Sequence, residues 1–389
     1  MTTGPDHFVQ FVAISVFDPT CKAENPTIMS LPSSRLRRCA LAVAAVLAMA
    51  GGLVGTNLAG ATTSISMAPP ALHVSGKHLV TSANTVVVLR GVNRSGPETS
   101  CLGTGRSSFF YGPTDDASAQ AIRSWRANMV RIPINEDCWL GRNGLPASLT
   151  AIDYRNQIAR YARTLIRNGL YVTLDLHFAE VNGAASKTFA PMADSAYGPV
   201  VWKSIATTFK NDPDVFFDLY NEPHVSWACW KNGCVDATNG TKYAGMNTLI
   251  AAVRSTGARQ PVVVSGASWG NDLSGWLLNR PTDALHQVVA AAHVYRDSGC
   301  VLVSCLNARM APVAMQVPLT ITEFGDDQPD GWLLSALPSW ADPLGVGYLA
   351  FTWNSMAPGA TTTGFHLIAD YAGTPTTTGA VFRQHLLGT

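Results

Sequence analysis

The sequence predicts an α/β fold, a single (β/α)8 TIM barrel with a short N-terminal β segment. Three observations carry that expectation. From about residue 72 onward one unit repeats, a short apolar strand, a loop and an amphipathic helix. The strands are near-continuous apolar runs, as parallel strands buried on both faces must be. Polar residues gather at the carboxyl ends of many different strands, the arrangement of a closed barrel and not of an open sheet with one crevice. No Gly-x-Gly-x-x-Gly follows the first strand and no P-loop lysine motif occurs, so a phosphate-cradling doubly wound sheet has no support.

In chain order, strands are expected at 86–93, 129–133, 171–177, 215–222, 261–265, 288–293, 318–323 and 347–353. Helices are expected at 117–127, 153–168 and 243–255, with a last one near 382–387. In the second, Ile158, Tyr161, Leu165 and Ile166 share a face, and Gly169 follows as a C′ stop. The segment 72–80 is expected to plug the barrel floor.

The barrel is assigned residues 72–389, and the remainder of the chain reads differently. Arg35, Arg37 and Arg38 precede an uncharged apolar stretch, 39–58, and then Ala59-Gly60-Ala61. Basic, apolar and small-residue regions in that order describe a signal peptide, assigned to 29–61 and starting at Met29. Residues 1–28 are read as an upstream, unfolded extension and 62–71 as a linker. A secreted protein is therefore expected, with an uncleaved membrane anchor as the alternative. The chain has 47% hydrophobic and 14% charged residues and a net charge of +1, a globular composition without the basic face of a nucleic-acid binder.

Six cysteines follow the leader: Cys101, Cys138, Cys229, Cys234, Cys300 and Cys305. An even count in an exported chain reads as disulfides. The local pairing is Cys229–Cys234 and Cys300–Cys305, which leaves Cys101 with Cys138. Two Cys-x4-Cys pairs could instead hold zinc, but an oxidising compartment argues against that.

Two glutamates end apolar strands. Glu222 closes Phe216-Phe217-Asp218-Leu219-Tyr220-Asn221-Glu222, and Glu323 closes Pro318-Leu319-Thr320-Ile321-Thr322-Glu323. A carboxylate delivered to a buried strand end is costly unless used or compensated. Two of them in one barrel mouth suit glycoside hydrolysis, which needs a proton donor and a nucleophile or activated water. The donor must keep its proton, which burial and a nearby anion favour, and the nucleophile must stay ionised beside a cation. Arg131 is the cation at hand, and Tyr295 can donate to the same carboxylate. Adjacent Asn221 and Glu222 cannot both face inward along a regular strand, so a bulge or a strand end is expected there.

The strand ends, read in turn, are Arg90 and Asn93, Arg131, His177, Asn221 and Glu222, His293 and Tyr295, Glu323, and Trp353. With Arg90-Gly91-Val92-Asn93, Val130-Arg131-Ile132-Pro133, Leu176-His177, Asn221-Glu222-Pro223, His293-Val294-Tyr295, Thr322-Glu323-Phe324-Gly325 and Thr352-Trp353-Asn354 in this order, the chain resembles glycoside hydrolase family 5, the cellulase family of the clan A barrels. The resemblance implies a retaining enzyme with Glu222 as acid/base and Glu323 as nucleophile. It implies that Asn221 bonds the sugar 2-hydroxyl, that His177 and His293 line the subsite of the sugar being cleaved, and that Trp353 forms its apolar floor. Arg131 also reads as a plain buried ion-pair partner, the histidines as satisfied core residues, and Trp353 as packing. Trp227, Trp230 and Trp269 divide evenly between sugar stacking and loop filling.

The expected substrate is a β-linked polysaccharide or oligosaccharide, foremost a β-1,4-glucan cut internally, with mannan or exo-acting β-glucosidase activity as alternatives. Phe178, after His177, stands where cellulases of the family often carry tryptophan, and the loop 95–101 is also unlike the plainest members. An inactive carbohydrate-binding barrel is opposed by the intact glutamate pair. A metal-dependent barrel hydrolase is opposed by the lack of His-x-His on the first strand. No cofactor, metal, nucleic acid or stable membrane association is expected, and the chain should be a monomer.

Overall fold

The computed structural model describes residues 68–100, 108–143, 150–181, 183, 186, 189–355 and 364–389. The upstream extension 1–28, the leader 29–61 and Cys101 lie outside the described residues, as does most of the linker. Eight parallel strands close into a barrel in sequence order: β1 (Arg90–Asn93), β2 (Met129–Asn135), β3 (Tyr171–Phe178), β4 (Val215–Asp218), β5 (Val262–Ser265), β6 (Val288–Tyr295), β7 (Leu319–Gly325) and β8 (Gly347–Ala350). All eight expected strands are present. Adjacent strands must approach closely, and Gly91 lets β1 do so: a Cβ there would stand 1.8 Å from the Met129 carbonyl oxygen.

Helices follow every strand but β5. They include Asp116–Arg123, Ala151–Arg167, Gly198–Phe209, Met246–Arg254, Val303–Arg309, Trp332–Ala341 and Thr377–Gly388. The longest starts at a capping box, Thr150 accepting from the Asp153 amide while Asp153 accepts from that of Thr150. Gly169 stops it at φ 78°. The connection after β5 forms turns where a helix was expected, and Pro281 with its missing amide helps to interrupt it. Among the described residues no helix is long and apolar enough to cross a membrane.

Two apolar cores result. The larger lies between the helices and the outer faces of the strands. The smaller fills the barrel floor with Leu89, Met129, Tyr171, Phe216, Val263, Val289 and Leu349, and the antiparallel hairpin His73–Ser75/His78–Val80 seals it with Leu72 and Leu79. The expected plug is therefore present. Below the site the barrel is oil; at its mouth it is polar.

Arg90 proves to stand at the amino-terminal end of its strand, away from the mouth. It begins β1, and its guanidinium pairs with Asp342 Oδ1 at 2.8 Å, where Tyr348 also donates and His385 meets the other oxygen. Reading 86–93 as one strand placed Arg90 too near the carboxyl end. In the structure Val86 and Val87 pair instead with the hairpin, and β1 is short.

Candidate active site

The carboxyl ends of the strands converge as expected. Pairing in β4 stops at Asp218, so Leu219–Glu222 are free of strand alternation and both Asn221 and Glu222 reach the same mouth. The pairing of β6 with β7 shifts between Ala292 and His293, and that of β7 with β8 between Ile321 and Phe324. Such irregularities re-aim side chains. Here they fall at His293 and at Glu323.

Arg131 is the hub. It is wholly buried and its guanidinium donates four hydrogen bonds: Nε to Asp218 Oδ2 at 2.9 Å, Nη1 to Asn93 Oδ1 at 3.1 Å and to Glu323 Oε1, and Nη2 to Asn221 Oδ1 at 2.8 Å; Nη2 also forms an ion pair with Asp175 Oδ2 at 2.9 Å. Asp175 also accepts from His177 Nδ1 at 2.8 Å. Asp175 and Asp218 were absent from the sequence expectations, although each is a lone acid in an apolar strand. Asp175 stands two residues before His177, and so on the same inward face.

Glu323 is buried and accepts from Tyr295 Oη at 2.7 Å besides Arg131. His293 Nδ1 bridges the two glutamates, 2.9 Å from Glu222 Oε1 and 3.7 Å from Glu323 Oε2. A carboxylate oxygen of Glu222 and one of Glu323 lie within 4.8 Å of each other. Burial alone would push the Glu323 pKa up, but His293, Arg131, His177 and the Tyr295 hydroxyl outweigh it and hold the group well below the usual carboxylate range. His177 moves the other way. Burial disfavours its cation, yet its bond to Asp175 and the charges of Asp175, Glu323 and Glu98 raise it to about 9.

That shift is a stability statement. Its sign follows from a folded pKa above the unfolded value of about 6.5, so the stabilisation is whole below about pH 6.5 and lost as pH climbs through about 9, in all about 3 kcal/mol. The urea midpoint of the native protein should therefore exceed that of His177→Gln by most at mildly acid pH, and the gap should close at alkaline pH. A gap of constant size across that range would refute the shift.

Trp353 is wholly buried, edge-on to Trp125 with ring centroids 4.8 Å apart, and presents no face to solvent. Trp230 is core as well, its Nε1 donating to Ser265 O, and half-buried Trp227 packs against it. Trp269 differs. It is 47% exposed, stacks on His224 at 3.8 Å, and borders a cavity of about 400 Å3 with Glu222 and Tyr295. Ser268 and Trp269 both take positive φ, 52° and 62°, a conformation costly for a bulky side chain and one concentrated at functional sites. Phe178 and Phe189 extend this aromatic rim.

Disulfides Cys229–Cys234 and Cys300–Cys305 form as expected, in the loops after β4 and β6. Asn271 ties the second loop to β6, donating to His293 O and accepting from the Cys300 amide. Cys138 is buried in the short helix Glu136–Leu140 after β2, and its expected partner is outside the described residues. Among the described residues two donor triplets have a spacing that could suit a metal, Asp175/His177/Glu323 and Glu222/His293/Glu323. The Arg131 cation and the raised histidines already occupy those carboxylates and would repel a second cation.

The family model described as cellulase (glycosyl hydrolase family 5) matches residues 89–356. A mannan endo-1,4-β-mannosidase of Streptomyces lividans is 25% identical over 298 residues, 74% of this chain and 67% of that protein. Endoglucanase 1 of Saitozyma flava is 27% identical over 176 residues, 44% of this chain, and the match spans only 49% of that relative. Among solved structures, a Saccharophagus degradans β-glucanase in complex with cellotetraose aligns with TM-score 0.63 at 21% identity, over 83% of this chain and 95% of that one. The catalytic domain of the major endoglucanase of Xanthomonas campestris pv. campestris aligns with TM-score 0.62 at 19% identity, over 82% and 100%. These alignments show a shared barrel. With the family match covering all eight strands of that barrel, the chain belongs to glycoside hydrolase family 5, the cellulase family, and is a glycosidase.

Proposed function

We propose that the protein is a secreted, monomeric, retaining β-glycoside hydrolase that cleaves polysaccharide by double displacement, acting as an endo-β-1,4-glucanase. The observation that carries the reading is the approach of Glu222 and Glu323 oxygens to within 4.8 Å. A retaining pair stands ~5–5.5 Å apart, whereas an inverting pair leaves ~6.5–9.5 Å for a water. In the first step Glu323 attacks the anomeric carbon as Glu222 gives its proton to the departing oxygen. In the second, Glu222 takes a proton from water, which displaces Glu323 from the sugar. The same group serves as acid and then base.

Supporting roles follow from unspent hydrogen-bonding capacity. Arg131 fixes Asn221 by its Oδ1, and the buried Nδ2 is left without a partner, placed to donate to the sugar 2-hydroxyl. His293 Nε2 is likewise buried and unpartnered, while its Nδ1 holds Glu222. Wholly buried and enclosed by these acceptors, Arg131 acts through Glu323 and Asn221 rather than on the sugar. His177 serves through Asp175 and its charge, Tyr295 through Glu323, and Trp353 as the packed wall behind them. Trp269 offers a stacking face on the leaving-group side. The endoglucanase relative and the cellotetraose-bound neighbour favour glucan, and the Streptomyces lividans relative supplies the second reading, mannan.

The test is product analysis on β-glucans, mannan and xylan with the anomer followed by NMR. Mixed short β-1,4-gluco-oligosaccharides, each formed first as the β-anomer, are expected. Early appearance of the α-anomer would overturn double displacement, and a marked preference for mannan would transfer the substrate to the second reading.

A further inference from the structure

We propose that Asp175 and Asp218 hold a single proton between them beneath Arg131, and that Asp218 is thereby a positioning residue that keeps Arg131 able to hold Glu323 as an anion. The inference rests on the reading of Glu323 as the nucleophile. It starts from geometry. Asp175 on β3 and Asp218 on β4 are direct partners in register. Each gives its Oδ2 to Arg131 at 2.9 Å, and each leaves Oδ1 buried with no partner. A buried carboxylate oxygen without a donor is costly, and two on neighbouring strands are worse. One proton on the pair removes one of the two negative charges that crowd beneath a single guanidinium.

The charge count agrees. Three carboxylates, Asp175, Asp218 and Glu323, close on one guanidinium. His177, its pKa raised to about 9, supplies the second cation facing them. One proton on the aspartate pair leaves two cations against two anions among these buried side chains. Other groups face it too: His293, hydrogen-bonded to Glu222 from β6 and opposing a negative Asp218, Tyr295 on Glu323, and Glu98 from the loop after β1, which burial pushes above the usual range. Burial pushes the Asp218 pKa up and the Asp175 charge adds to the rise, against the pull of Arg131 and His293.

The consequence is an ionisation separate from that of the acid/base. As pH rises the pair loses its proton and an uncompensated negative charge appears beside Arg131. That charge weakens the hold on Glu323 and slows attack. The alkaline limb of kcat/KM should therefore contain this ionisation beside those of the acid/base and of His177.

Asp218→Asn imitates the protonated pair, keeping an acceptor for Arg131 Nε while removing the charge. At about pH 6 it should retain kcat/KM within about fivefold of native, where Asp218→Ala loses about a hundredfold, and its alkaline limb should be shallower by one proton. In infrared difference spectra, one carbonyl band of a buried protonated carboxylic acid should persist in Glu222→Gln and vanish in Asp218→Asn, beside bands from Glu98 and Glu136, which burial also raises and neither variant removes. Loss in Asp218→Asn equal to that in Asp218→Ala would mean that a charged carboxylate is required, and the proposal falls. It falls equally if the alkaline limb is unchanged, or if the band survives in Asp218→Asn or is missing from Glu222→Gln. Labelling of Glu323 by a 2-deoxy-2-fluoro glycoside reads the nucleophile by itself, so failure of that parent reading is distinguishable from failure of the shared proton.

Discussion

Glu323→Gln should lose turnover on every glycoside, by about ten-thousandfold or more, with little change in fold. The amide is nearly isosteric and can still accept from Tyr295, but it is neutral and cannot form the acylal-type ester with the anomeric carbon. The native group is prepared for that step: burial would favour its neutral form, and His293, Arg131, His177 and Tyr295 reverse that preference. Ionisation is thus maintained far below neutral pH, so the acid limb of activity should not be set by this residue. The measurement is single-turnover kinetics on an aryl glycoside, paired with mass spectrometry of the native enzyme trapped by a 2-deoxy-2-fluoro sugar. The label should sit on the peptide carrying Glu323. A label on any other carboxylate, or substantial activity in the variant, would reassign the nucleophile.

Glu222→Gln should fail differently. Polymer cleavage should drop by about 10²–10⁴-fold because the departing sugar oxygen needs a proton. An aryl glycoside with a strongly acidic phenol needs none, so its first turnover should proceed near the native rate and appear as a burst. The glycosyl-enzyme then accumulates, since water lacks its base. His293 Nδ1, 2.9 Å from Glu222 Oε1 in the native site, can keep the amide in place. Equal loss of the first turnover on both substrates would remove Glu222 from the role of acid.

Much of this was legible in the sequence, for identifiable reasons. Strands buried on both faces write their position as unbroken apolar runs, and all eight were placed. Their carboxyl ends carry the polar residues, so Glu222, Glu323, Arg131, His293 and Tyr295 could be expected in one mouth, and they meet there. What escaped depends on neighbours. The register shifts at His293 and before Phe324 arise between strands and leave no mark in either one. Arg90 was misplaced because the hairpin takes the first residues of its apolar run. An aromatic at a strand end carries no sign of its direction, and Trp353 turned into the packing while Trp269, in a loop, turned outward. Asp175 and Asp218 had a signal, an acid at an inward position of an apolar strand, but its meaning required the guanidinium across the barrel.

The ring of strands closes where β8 meets β1, with Tyr348 opposite Arg90 and Arg90 bound to Asp342 from 252 residues away. Until that last contact forms, β1 is an edge strand and the apolar floor has an open side. A nascent chain therefore cannot finish the barrel before nearly all of it has left the ribosome, and such long-range closure is slow.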